Sequence, residues 1–282
     1  MSDASIPRPI RSVTNAELYD QWAKVSIIIY TSNFSSDTPA NSPQVYDIDG
    51  NILMALDDLL LPPLLSQAFS QLPASSPLTV SELGAGTGRN TIKLFSPSFP
   101  LIARINALDL SLGMLSLAQT RCKAALQSSS GSRVPELSFY EFDALHPEKY
   151  PQVAPLSQTA DVILSTLVIE HLPLPVFFQA VKELLKPGGY LIVTNMHAEM
   201  GRRGQAGFVD EATGEKVRGL SYAHEIADVL EEGKRNGFML EGDVGQRAVR
   251  EEDVGEGRLL GPRGKKWIGC ICWFGFVMRL EG

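Results

Sequence analysis

Three glycines alternate at Gly84, Gly86 and Gly88 in LTVSELGAGTGRNT (Leu78–Thr91), directly behind an apolar run and the acidic Glu82. Glycine at alternate positions of a turn lets backbone N–H groups approach a ligand that side chains would hold away. The next apolar run ends at Asp109, about 20 residues further on, where a nucleotide-binding βαβ unit places the carboxylate that meets ribose hydroxyls. Together these residues predict a nucleoside-containing ligand lying over strand ends. The dinucleotide fingerprint G-x-G-x-x-G wants a glycine where this chain has Arg89. The pattern here is E-x-G-x-G-x-G. A carboxylate beside the turn repels a pyrophosphate and suits a ligand carrying a positive amino or sulfonium group.

ELGAGTGRNT resembles motif I of class I S-adenosylmethionine-dependent methyltransferases, and similar segments follow in the family's order from Ser76 to Gly282. INALDLSLGMLSLAQ (Ile105–Gln119) is similar to the second motif, FYEFDALH (Phe139–His146) to the third and ADVILSTLVIEHL (Ala160–Leu172) to the fourth. LLKPGGYLIVTN (Leu184–Asn195) resembles the turn and strand that come next. The resemblance implies S-adenosyl-L-methionine as cofactor; no metal is expected, since no matching ligands flank the Asp210/Glu211/Glu215 cluster at regular spacing. It implies that Asp109 accepts from both ribose hydroxyls, with Leu110 alongside, and that Met114 packs on the adenine. Asp143 would accept from the adenine N6 amine, with the Ala144 N–H as the complementary donor. Glu82, Gly84, Ala85, Gly86, Gly88 and Thr166 complete the expected core contacts. Tyr19, Trp22 and Tyr46 resemble a YDxWAxxYD element, which implies that Tyr19 and Tyr46 cover the methionine end of the cofactor.

These residues need elements to hold them. Apolar runs predict strands near 78–83, 102–109, 137–142, 160–166 and 189–195. Helices are expected directly after the glycine turn, from Ser111 toward Leu126, and over Pro173–Leu185. Strand–helix alternation means a mostly parallel sheet covered on both faces. Phe238–Val244 and Gly269–Leu280 predict a closing antiparallel hairpin. The expected class is α/β, a Rossmann-like class I methyltransferase fold. Its seven-stranded, mostly parallel sheet carries that C-terminal hairpin, helices on both faces and an N-terminal helical cap. Residues 1–75 form the cap in this reading and residues 76–282 the S-adenosylmethionine-binding domain. Val25–Gln44 interrupts the cap, because its removal restores YDQWAKVYDIDGN in frame. A translated retained intron and a surface loop both account for it.

Methyl transfer from a sulfonium is an in-line displacement, and a base is needed only where the acceptor must shed a proton. His171, His197 and His224 are the candidate bases, since each falls near the expected mouth of the site; His146, before Pro147, reads as turn chemistry. The glycine-rich, charged segment Met200–Leu220 is expected to act as a substrate lid, with Phe208 and Tyr222 lining an apolar acceptor pocket. Arg202 and Arg203 would face water or an acidic substrate. The predicted activity is methyl transfer to an O, N or S atom of a small-molecule acceptor, in the manner of secondary metabolism. The alternative is a catalytically silent regulator or binding protein with the same fold.

Composition sets limits. A net charge of −7 argues against a nucleic-acid partner, which needs a cationic surface. No membrane partner is expected, because no apolar run reaches spanning length and MSDASIPRPIR lacks a secretory core. Three cysteines make no disulfide framework, and a reducing cytoplasmic setting fits.

Overall fold

A computed structural model describes residues 10–32, 51–73, 76–128, 134–204, 207–209 and 213–282, with the side chains of 25–32 and 207–209 left aside. Seven strands build the central sheet: β2 (Leu78–Leu83), β3 (Ile102–Asp109), β4 (Glu136–Glu141), β5 (Ala160–Thr166), β6 (Leu185–Met196), β9 (Phe238–Ala248) and β10 (Ile271–Leu280). Their order is β4-β3-β2-β5-β6-β10-β9. The first five run parallel, and β10 is antiparallel to both β6 and β9. This is the seven-stranded sheet with a C-terminal hairpin that the sequence predicts. The strand order reverses between β3 and β5, on either side of β2. A crevice at the C-terminal ends of the strands therefore opens above β2.

Strand alternation sorts the core into two layers. Val80, Val162, Leu164 and Ile192 face α2 (Ile52–Ser70), while Leu83, Ile163, Leu191 and Val193 face α4 (Leu174–Leu184). The remaining helices are α1 (Asn15–Ser32), α3 (Leu112–Ser128), α5 (Ala198–Arg203) and α6 (Ile226–Arg235). Ser111 caps α3 as predicted, its Oγ accepting from Met114 N at 3.1 Å.

Three expectations are revised. The glycine turn leads only into a 3-10 stretch, Thr91–Phe95, because Pro97 and Pro100 lack N–H groups and push their preceding residues out of the helical region. Within the N-terminal region, α2 packs into the core of the sheet rather than over the site. Its fully buried Asp57 accepts from Arg89 Nη2 (2.7 Å), Asn90 Nδ2 (3.0 Å), Thr194 Oγ1 (2.5 Å) and Trp273 Nε1 (3.2 Å). By length and composition α2 could also cross a membrane, contrary to the sequence expectation, but here its apolar residues are spent on the sheet.

α1 packs against α3, and its first residues line the crevice. Asp20 Oδ1 accepts from Ser111 Oγ at 2.5 Å, and Gly113 permits close approach, since a Cβ there would stand 2.8 Å from Ala23 Cβ. Ahead of α1, β1 (Ile10–Ser12) pairs in parallel with β8 (Lys216–Arg218), which pairs antiparallel with β7 (Gly207–Val209). This small sheet joins the N-terminus to the segment predicted as a lid.

Candidate active site

The glycine turn at the end of β2 forms the floor of a cavity of about 730 Å³. Gly84, Gly86 and Gly88 have φ of 80°, 54° and 77°, a region that side-chain-bearing residues rarely occupy. Each meets a different surrounding. A Cβ on Gly84 would overlap Val168 Cγ2, and one on Gly88 would press on Ala118 of α3 at 3.0–3.1 Å. A Cβ on Gly86 would find nothing within 4 Å. Gly84 and Gly88 let the turn nestle into the protein, whereas Gly86 keeps open the space into which a ligand fits. Asp109, at the end of β3, holds the turn from one side. Its Oδ2 accepts from Gly86 N at 2.7 Å and its Oδ1 from Ser111 N at 2.9 Å. Burial pushes its carboxyl up to about 6, against the pull of these backbone donors.

Residues from neighbouring strand ends close the walls. Phe142, Asp143 and Ala144 follow β4, Leu110 and Met114 follow β3, and Thr166 ends β5. Leu167 next to Thr166 has φ of 59°, a strained conformation for a bulky residue, held by its N–H bond to Thr194 O at 2.8 Å. Above lies a roof. Residues 12–17 line it, and Thr14 and Glu17 form a reciprocal cap on α1: Glu17 Oε2 accepts from Thr14 N at 2.9 Å, and Thr14 Oγ1 accepts from Glu17 N at 3.2 Å. Tyr19 reaches from α1 to His171, with Oη and Nε2 2.7 Å apart. The other ring nitrogen, Nδ1, lies 3.1 Å from Leu220 O. A carbonyl only accepts, so Nδ1 carries the proton. Burial lowers the pKa of His171, keeping it neutral, and its Nε2 lone pair accepts the Tyr19 hydroxyl proton.

A methyltransferase-domain family model matches residues 81–193, which run from β2 to β6. A methyltransferase of Emericella nidulans, described as uncharacterized, is 40% identical over 280 residues, spanning 94% of this chain and 91% of its own length. The chain belongs to the class I S-adenosylmethionine-dependent methyltransferases. Solved structures of low identity agree on the fold. Magnesium protoporphyrin IX methyltransferase from Synechocystis with bound S-adenosylmethionine superposes with a TM-score of 0.52 at 16% identity, covering 99% of this chain and 100% of its own. An S-adenosylmethionine-dependent methyltransferase from Mesorhizobium loti gives 0.50 at 16% identity, covering 74% and 94%.

In this methyltransferase, the cavity gathers Tyr19, Gly84, Ala85, Gly86, Asp109, Leu110, Met114, Asp143, Ala144, Thr166 and His171. Other expected site residues lie elsewhere. Glu82 shares the face of Val80, so strand alternation turns it behind the turn, where Oε2 accepts from Thr91 Oγ1 at 2.5 Å. Gly88 serves α3 packing, as above. His197 is an N-cap, its Nδ1 accepting from Glu199 N at 3.1 Å, and His224 Nε2 donates to Leu172 O at 2.9 Å. Tyr222 stacks on His224 outside the cavity lining, with ring centroids 5.2 Å apart. Arg202 pairs with Glu225 and Arg203 with Glu199 at the surface. Tyr46 and most of the interrupting segment fall outside the described residues, although α1 continues unbroken past Lys24 to Ser32. Sequence reasoning missed the roof. Its T-x-x-E cap is visible at Thr14–Glu17, but nothing local says that it overhangs the glycine turn. His146, read as a turn residue, also stands on the cavity rim.

Proposed function

We propose that this enzyme methylates a small-molecule acceptor held beneath the roof of residues 12–17 and Leu220, beside the cofactor. The observation that carries this reading is the cavity of about 730 Å³ above the glycine turn, within the size range of small-molecule sites. Its floor suits S-adenosylmethionine: Gly86 leaves an open cradle, and Asp109 and Asp143 supply carboxylate oxygens for hydroxyl and amine donors. In this assignment Gly84, Ala85 and Gly86 meet the cofactor by backbone, Asp109 and Leu110 flank the ribose, and Met114, Asp143 and Ala144 meet the adenine. Thr166 faces the methyl group and Tyr19 stands between cofactor and acceptor. The cofactor supplies an activated methyl group on a positively charged sulfur. The protein aligns the acceptor and excludes water.

Two measurements test the proposal. Incubation with methyl-labelled S-adenosylmethionine and fractionated cell extract should place label in the low-molecular-weight fraction; label confined to protein or RNA overturns the acceptor class. Asp109→Ala should weaken S-adenosylhomocysteine binding by about 1.5–3 kcal/mol per charge-assisted hydrogen bond lost. Unchanged affinity by calorimetry would place the ribose elsewhere.

A further inference from the structure

We propose that His171 and His224 are positioning residues that strap the roof over the cofactor, and that the His171–Leu220 bond is the latch opened when the cofactor enters or its product leaves. The inference concerns the cofactor site and is independent of the acceptor. Residues 220–224, which follow β8, run beside the turn of residues 168–172, which follows β5. Three hydrogen bonds join the two, one at every second residue of the strap. Leu220 O accepts from His171 Nδ1 at 3.1 Å, Tyr222 N donates to Glu170 O at 2.6 Å, and His224 Nε2 donates to Leu172 O at 2.9 Å.

The two ends of the strap are held differently. At the far end the His224 ring stacks on Tyr222, with planes 12° from parallel, and the Tyr222–Glu170 and His224–Leu172 bonds lie close together. α6 begins directly beyond, at Ile226. This end is the anchor. At the near end Leu220 lines the cavity with 54% of its surface exposed, and its carbonyl is tied to the turn through a rotatable side chain. This end is the latch.

One imidazole thereby reaches both halves of the roof. Its Nδ1 holds Leu220, and its Nε2 lies 2.7 Å from Tyr19 Oη on α1. Gly219 presses the strap onto the same helix, since a Cβ there would overlap Asn15 Oδ1 and stand 2.9 Å from Leu18 Cδ2. The turn that carries His171 also touches the cavity floor, because Val168 Cγ2 fills the space that a Cβ on Gly84 would need. A site that must exclude water has to open for its ligand. Opening at Leu220 breaks a bond to a side chain, whereas opening at the anchor breaks two bonds and a ring stack, so the near end gives way first.

The test uses the full chain and S-adenosylhomocysteine, with binding rates read by stopped flow and the order of the strap by amide exchange. His171→Phe keeps a ring and loses the donor to Leu220. His171→Asn loses the ring and returns an amide N–H near the place of Nδ1. Both lose the contact with Tyr19, so the difference between them isolates the latch. His171→Phe should speed association and dissociation alike, by about 5- to 10-fold, with Kd moving less than either rate, because a gate that opens more readily admits as well as releases. Exchange across residues 216–222 should rise with it, and His171→Asn should recover most of the wild-type behaviour. His224→Phe keeps a ring to stack on Tyr222, loses the anchor bond, and should raise exchange across residues 220–224. Wild-type rates in His171→Phe, an Asn variant no different from Phe, or an affinity loss carried by dissociation alone overturns the latch. If urea denaturation shows that His171→Phe is unfolded, His224→Phe decides: wild-type exchange across its strap overturns the proposal.

Discussion

Gly84 and Gly86 stand two residues apart with the same backbone requirement and opposite surroundings. At both, a positive φ makes any side chain strained. At Gly84 the added carbon also strikes Val168, on the turn that carries His171, whereas at Gly86 it enters the open cavity. Gly84→Ala should therefore cost about 2–4 kcal/mol of folding stability, from strain plus overpacking. Gly86→Ala should cost about 1 kcal/mol, the strain alone, and instead weaken S-adenosylhomocysteine binding by intruding on the ligand's space. Urea denaturation and calorimetry on the two variants separate these effects. Equal stability losses would show that the two glycines do the same job.

At the scale of elements, the N-terminal region divides into two parts with different attachments. α2 is bound into the core by Asp57, whose removal would leave Arg89 largely buried with only Asp58 beside it. α1 touches the core mainly through α3, the Asp20–Ser111 bond and the Tyr19–His171 bond. A methyl donor must enter a site that then excludes water, so some element has to move. That element is predicted to be α1 with the roof sheet. On adding S-adenosylhomocysteine, amide exchange should slow across residues 15–24 and stay unchanged across Ile52–Ser70. Identical exchange of α1 with and without the ligand would make it plain scaffolding. Gly219 belongs to the same hinge of contacts, since a Cβ there would overlap Asn15 Oδ1 at the start of α1.

For the molecule as a whole, buried acids set the dependence of stability on pH. Burial raises Glu82 and Glu170 to about 8, and Asp109 to about 6. Between its unfolded and its raised folded pKa, such a group binds more proton in the native state, so stability falls as pH rises through that window. The lowered histidines, His171 and His197, work in the opposite direction, but only below about 6.5. From about pH 6.5 to 8 the fall belongs to Glu82 and Glu170, each contributing a slope of up to ~1.4 kcal/mol per pH unit. Urea midpoints of the ligand-free protein should drop across this interval, and Glu82→Gln should roughly halve the drop. A drop as steep as wild type in that variant would mean that Glu82 is ionised throughout.

Much of this enzyme was legible before any coordinates, and for a definite reason. Glycine spacing, apolar periodicity, the Ser111 cap and the Asp109 strand end are local features, governed by dihedral preference and by periods of two and 3.6 residues. They foretold the parallel strands, the closing hairpin and the cavity floor. Locality also explains the failures. Glu82 is adjacent to the glycine turn in sequence, but its direction follows from which sheet face must be buried. His197 and His224 fall outside the cavity lining, where His197 Nδ1 caps a helix by accepting from Glu199 N and His224 Nε2 donates to Leu172 O. Pro97 and Pro100 beyond Thr91 deny the turn a full helix, against the glycine-turn pattern. Only the tertiary structure could decide that α2 is core, that β1 pairs with β8, and that a tyrosine near the N-terminus donates to a histidine 152 residues away. Those contacts depend on elements meeting in space, where burial and hydrogen-bond satisfaction act on both partners at once and no local pattern encodes the meeting.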